Sequence, residues 1–196
     1  MLSSALYLVL ILGIALTANV PLQVATQEEF KIPPADLETS PGLLTYSDPT
    51  AGIKIQYPSI WVASSNALEN FDDLVAFYSP LENITDPFNA KVTISAIPFL
   101  QNISLNEYTN LTLTSFNQSE DSILLENASD VLSGYPAHKA IYALSSVPAF
   151  VTMEAWTVIG NKLYLVTYRA EPLEFDFYFP AVEQMLDSFE VMKAPG

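Results

Sequence analysis

His138 is the chain's single histidine and follows Ser133 by five residues. A nucleophilic triad needs a serine, an imidazole and an orienting carboxylate in contact. No nucleophile-elbow pattern surrounds Ser133, and His138 shares a strand face with Ala140, Tyr142 and Leu144. It is read as a structural histidine near a strand end. Two groups of carboxylates are the next candidates: Asp72 with Asp73, and Glu171 with Glu174 and Asp176. Paired carboxylates can cleave glycosidic bonds, and three or more with carbonyl oxygens can hold calcium. Neither group sits in an Asp-x-Asp-x-Asp-Gly loop, so solvated acidic loops are the favoured reading. Glu154 and Arg169 lie diagonally across a hairpin and are expected to form an ion pair of structural value.

Asparagines supply the least ordinary signal. Asn83-Ile-Thr, Asn102-Ile-Ser, Asn110-Leu-Thr, Asn117-Gln-Ser and Asn127-Ala-Ser are five N-glycosylation acceptor patterns drawn from 11 asparagines. This Ser/Thr content would give about two by chance. Glycans there would put the domain outside a membrane.

Acidic residues outnumber basic ones 22 to 7, for a net charge of −15. A surface of that sign repels nucleic acid, which is excluded as a partner, and also anionic lipid headgroups. The chain has no cysteine, so disulfides, thiolate metal sites and cysteine nucleophiles are all excluded. No charged side chain occurs before Glu28, and Leu2 to Val20 is strongly apolar. Residues 1–22 therefore read as a signal peptide or a single membrane anchor. Residues 23–41, with Pro33, Pro34 and Pro41 among acids, read as an extended linker. The folded domain is expected over 42–193.

The elements that must position these side chains follow from pattern. Two runs rich in Val, Thr, Tyr and Trp, from Val151 to Ala170, flank Gly160-Asn161, a tight-turn pair. That turn sets Trp156 against Leu165, Glu154 against Thr167, Ala155 against Val166 and Met153 against Tyr168. Both faces are largely apolar, so the hairpin is expected inside a sheet covered on both sides and not at the functional surface. Function is looked for on the loops around Asp48, Asp72 and Glu171.

Further strands are read at 43–46, 53–57, 74–78, 91–97, 123–126 and 136–144. In the fourth of these, Val92, Ile94 and Ala96 alternate with Thr93 and Ser95. Ser104-Leu-Asn-Glu107 is a capping box opening a helix whose apolar stripe is Leu105, Tyr108, Thr112 and Phe116. Asn106, Asn110 and Asn117 fall off that stripe and face solvent. Val182, Met185, Leu186 and Phe189 mark a closing helix, with Pro180 in its first turn.

Three stretches in order carry a resemblance. Tyr46-Ser-Asp-Pro-Thr-Ala-Gly-Ile-Lys-Ile-Gln-Tyr-Pro-Ser-Ile-Trp61, Leu132-Ser-Gly-Tyr-Pro-Ala137, and Lys162-Leu-Tyr164 with Phe179 through Met185-Leu-Asp-Ser-Phe189 resemble the PsbP-like family over residues 43 to 192. The resemblance implies an α+β fold, an α-β-α sandwich with a central, mainly antiparallel twisted sheet flanked by helices on both faces. It also implies an extracytoplasmic protein without enzymatic activity, here a divergent non-plant member. Plant members are extrinsic photosystem II subunits that help retain calcium and chloride, and the wider superfamily includes assembly and GTPase-binding proteins, so fold transfers further than function.

The expectation is a non-catalytic envelope binding or assembly module with a protein partner at the membrane or envelope, itself membrane-bound if residues 1–22 stay attached. No catalytic residue, cofactor or metal is assigned. The alternatives are a carboxylate-based hydrolase of surface glycans and a calcium-dependent structural domain.

Overall fold

The structure, a computed structural model, describes residues 42–65, 70–81, 89–145 and 149–192. The apolar segment 1–22, the linker 23–41 and Asn83 lie outside the described residues.

The domain opens with a hairpin of β1 (Leu43–Asp48) and β2 (Ile53–Pro58). Its turn is built by Asp48, whose Oδ1 accepts from the N–H groups of Thr50 and Ala51 at 2.8 and 2.9 Å. Gly52, at φ +73°, supplies the left-handed residue that closes it. The hairpin pairs with the short β10 (Glu190–Val191) in a three-stranded sheet.

A second sheet holds seven strands: β3 (Val62–Ser64), β4 (Asp73–Tyr78), β5 (Lys91–Pro98), β6 (Ser122–Leu132), β7 (Tyr135–Leu144), β8 (Phe150–Ile159) and β9 (Lys162–Ala170). Their order is β3-β4-β5-β9-β8-β7-β6, antiparallel throughout. The β8–β9 hairpin has the expected register, Trp156 opposite Leu165 and Met153 opposite Tyr168. Gly160 has φ +63° while Asn161 does not take a positive φ, the type II′ pattern whose twist suits a hairpin. Between β6 and β7 both Ser133 (φ 54°) and Gly134 (φ 77°) are left-handed, as a type I′ turn demands.

One face of the large sheet, with Phe77, Val92, Ile94, Met153, Val166 and Tyr168, is buried in the main core together with Ile53 and Ile55 of the small sheet. The helix α2 (Pro172–Ser188) seals this core through Phe175, Val182 and Met185. Trp61, turned inward after Pro58, meets Tyr178 of α2 edge to face at 5.5 Å. On the opposite face, Ala140, Trp156 and Leu163 form a smaller core under α1 (Leu105–Gln118). The capping box forms as read: Glu107 N–H donates to Ser104 Oγ at 3.2 Å, and Ser104 N–H to Glu107 Oε2 at 2.8 Å. Leu105, Tyr108 and Phe116 pack downward, and the Trp156 indole donates to Thr109 Oγ1 at 3.0 Å.

The outcome is a sheet-dominated α+β fold, mostly antiparallel, with two helices. It departs from a plain sheet between two helix layers, because the small sheet shares the covering of the main core and α1 reaches only part of the other face. Two further expectations are corrected. The closing helix begins at Pro172, not near Pro180, which lies inside it. Proline costs a helix mainly its own N–H bond, and the stripe Phe175, Phe179, Val182, Met185 and Leu186 runs straight past it into the core. Strand β6 continues through Glu126 to Leu132, where Asn127, Ser129 and Asp130 gave no strand pattern. As an edge strand it leaves Asn127 and Ser129 in solvent and Asp130 half-buried, and a bulge at Leu125 shifts its register.

Candidate functional site

The face that carries α1 is not covered to its end. Beyond Trp156 and Leu165 the strands β4, β5, β9 and β8 present polar side chains to an open cleft of about 410 Å³. Alternation places them there: Lys91, Thr93 and Ser95 on β5 interleave with the buried Val92 and Ile94, and Thr167 and Arg169 on β9 interleave with Val166 and Tyr168. Strand pairing then arranges the cleft in rows. Lys91 lies opposite Arg169, Thr93 opposite Thr167 with Glu154 next across, and Asp73 opposite Ser95. Asp72 follows at the same end, where its carbonyl accepts from Ala96 N–H at 2.9 Å.

The cleft thus has a cationic end, a hydroxyl middle and an acidic end. Two of its carboxylates, Asp73 and Glu154, are engaged by neighbours. Asp73 Oδ1 accepts from Ser95 Oγ at 2.6 Å, and its Oδ2 accepts from Asn70 N–H and side-chain amide at 3.1 and 3.2 Å. Glu154 Oε1 accepts from the Tyr142 hydroxyl at 3.0 Å. Desolvation pushes the Glu154 carboxyl above its ordinary pKa, with the Tyr142 hydrogen bond opposing. Burial, and then the negative charge of Glu154, raise the Tyr142 hydroxyl in turn.

Arg169 does not form the ion pair expected with Glu154. Among the described residues the salt bridge within 4.0 Å is Lys54–Glu190, at 3.2 Å on the surface of the small sheet. The register is as expected, but Glu154 bonds Tyr142 of β7 instead, and Arg169 stacks its guanidinium 4.0 Å over the Phe150 ring. Arg169 Nε is buried and makes no hydrogen bond. Two cations directly opposite each other in a sheet disfavour the pairing, and the protein places its single arginine in that position.

The other sequence candidates are not brought together. Ser133 Oγ accepts from Val191 N–H at 2.7 Å, pinning β10 to the β6–β7 turn. His138 packs its ring 5.2 Å from Trp156, and burial lowers its pKa, keeping the imidazole neutral near pH 7. Glu171 is the residue before α2, Glu174 is buried and Asp176 is exposed, so the helix spreads this cluster apart. Among the described residues no group of three or more His, Asp or Glu could hold a metal ion. Asp48 serves its own turn, whereas Asp72 does line the cleft. The hairpin expected to be covered on both faces is open where it supplies Glu154, Thr167 and Arg169.

Asn102, Asn110, Asn117 and Asn127 are all exposed. Asn110 and Asn117 lie on the outer side of α1, Asn102 just before it and Asn127 on β6, against which α1 packs. Among the described residues no helix is long and apolar enough to cross a membrane.

Solved structures share this arrangement. Cyanobacterial PsbP (CyanoP) from Synechocystis sp. PCC 6803 superposes with a TM-score of 0.58 at 15% identity, over 77% of this chain and 93% of its own. The chain has a PsbP-like fold. The same fold is shared by the Ran-binding protein Mog1p of Saccharomyces cerevisiae, with TM-score 0.53, 11% identity and coverage of 79% of this chain and 97% of Mog1p. It is shared too by LpqN of Mycobacterium tuberculosis, described as involved in cell envelope biogenesis, with TM-score 0.53, 12% identity and coverage of 77% and 92%. No protein-family profile and no curated sequence matches the chain. The PsbP-like likeness is therefore one of fold.

Proposed function

We propose that this PsbP-like domain is a non-catalytic, extracytoplasmic binding or assembly module of the cell envelope that acts through a protein partner. The observation that carries the reading is the condition of the cleft carboxylates. Asp73 has both oxygens hydrogen-bonded and Glu154 accepts from Tyr142, an arrangement that fixes side chains for recognition. An acid and a base for hydrolysis would instead converge on one reacting atom. Support of a coarser kind comes from Mog1p and LpqN, described respectively as Ran-binding and as involved in cell envelope biogenesis.

In this reading residues 1–22 are the export signal or membrane anchor, and α1 and α2 are the outer layers of an α-β-α sandwich. Asn83, Asn102, Asn110, Asn117 and Asn127 carry N-glycans; the last four concentrate sugar on the α1–β6 side, away from the β4–β5 end of the sheet where the cleft stays clear for the partner. Two measurements test it. The intact mass of protein from its native source should exceed that of the bare polypeptide and fall on treatment with peptide N-glycosidase; a mass equal to the polypeptide refutes the glycans. Incubation with surface glycans should give no turnover above blank, whereas turnover abolished by Glu154→Gln would establish a carboxylate hydrolase instead.

A further inference from the structure

The cleft is polarised along its length. Its cationic row, Lys91 and Arg169, and its acidic row, Asp73 with Asp72 beyond it, are four residue steps apart along β5, from Lys91 to Ser95. At the rise of a strand this is about 13 Å. The floor between them offers the hydroxyls of Thr93 and Thr167.

Arg169 is prepared for an anion. The guanidinium is seated 4.0 Å over the Phe150 ring, and a planar group of this kind can meet a carboxylate through two N–H bonds at once. The buried Nε without a hydrogen bond is a donor for which the described residues provide no acceptor. Lys91 lies directly opposite on β5. A simple anion would suit this end alone, because the acids at the far end and Glu154 midway repel extra negative charge. A molecule with one carboxylate and, about 13 Å away, one ammonium group satisfies both ends. An extended chain of four amino acids has that span between its terminal charges.

We propose that the cleft binds the free termini of a short extended peptide, its carboxylate at Arg169 and Lys91 and its ammonium at Asp72 and Asp73. The assignment rests on the reading of the cleft as a binding seat and not a hydrolytic one. The raised pKa of Glu154 agrees with it, since a carboxyl kept in a desolvating position against its own preference is explained by use.

Calorimetric titration of the whole chain with tetraglycine is the test, alongside N-acetyl-tetraglycine and tetraglycine amide, each lacking one terminal charge. Tetraglycine should bind, and either blocked form should bind about tenfold or more weakly, the worth of a lost charge-assisted hydrogen bond. Arg169→Gln should lose selectivity for the free carboxylate and Asp72→Asn selectivity for the free amine, with circular dichroism confirming that both variants fold. Equal binding of the blocked peptides would overturn the zwitterion while leaving a binding cleft in place. Absence of tetraglycine binding would overturn the proposal outright. Cleavage of the tetraglycine would instead overturn the binding reading beneath it.

Discussion

The two faces of the seven-stranded sheet are made from the same strands and differ in finish. On β5 and β9 the residues Val92, Ile94, Val166 and Tyr168 are fully buried under α2 and the small sheet, while their immediate neighbours Thr93, Ser95, Thr167 and Arg169 line an open cleft. One residue of offset separates core from cleft. Burial of apolar area supplies most of the stability of such a domain, so the first face answers for folding. The second, with hydroxyls and charges facing an open cleft, contributes little to stability and is available for recognition.

Substitutions should separate the faces, the largest effect lying on the closed one. Phe77→Ala removes a fully buried ring that meets Tyr46 and Tyr57 at 5.8 and 4.8 Å. It should destabilise the domain by about 3–5 kcal/mol, read from urea denaturation. Trp156→Phe keeps most of the apolar volume but loses the bond to Thr109. A loss of about 1 kcal/mol is expected, with hydrogen exchange accelerating in α1 more than in α2. Thr93→Ala in the cleft should shift stability by no more than about 0.5 kcal/mol; a cost like that of Phe77→Ala would dissolve the distinction between the faces.

Glu154 sharpens the contrast through pH. Its folded pKa is raised above the unfolded value by desolvation. Its contribution therefore favours the fold at acid pH and is lost as pH rises from the unfolded value through the folded one. Glu154→Gln should accordingly melt higher than the wild-type protein at neutral pH, the difference fading as pH falls below the ordinary carboxylate range. A variant less stable at neutral pH would show that the charge is being stabilised after all. The smallest effect belongs to the exposed Lys54–Glu190 pair. Lys54→Gln should change stability by less than about 0.5 kcal/mol, and high salt should erase the difference.

Much of the framework is legible in the sequence. Gly160-Asn161 specified the β8–β9 register to the residue, because a two-residue turn leaves no freedom in pairing. Ser104 and Glu107 marked the start of α1 through their reciprocal bonds. The start of α2 is not legible in the same way, because a proline reads as a helix boundary although a stripe of apolar residues can carry a helix through it. The cleft was harder. The alternation on β5 showed Thr93 and Ser95 sharing a face, but that Asp73 meets Ser95, and that Lys91 meets Arg169, depends on the pairings β4–β5 and β5–β9 between distant segments. No local signal encodes those pairings. The Glu154–Arg169 pair has a different lesson: its register is as read, yet proximity across a hairpin does not say which neighbour a side chain bonds.

The central claim is that the open half of the sheet is a recognition surface. Amide chemical shifts of isotopically labelled protein titrated with tetraglycine test it most directly. Perturbations confined to residues 91–97 of β5 and 163–169 of β9, with α2 and the small sheet silent, are predicted. Perturbations centred on α2 or on the small sheet, or none at saturating peptide, would contradict it.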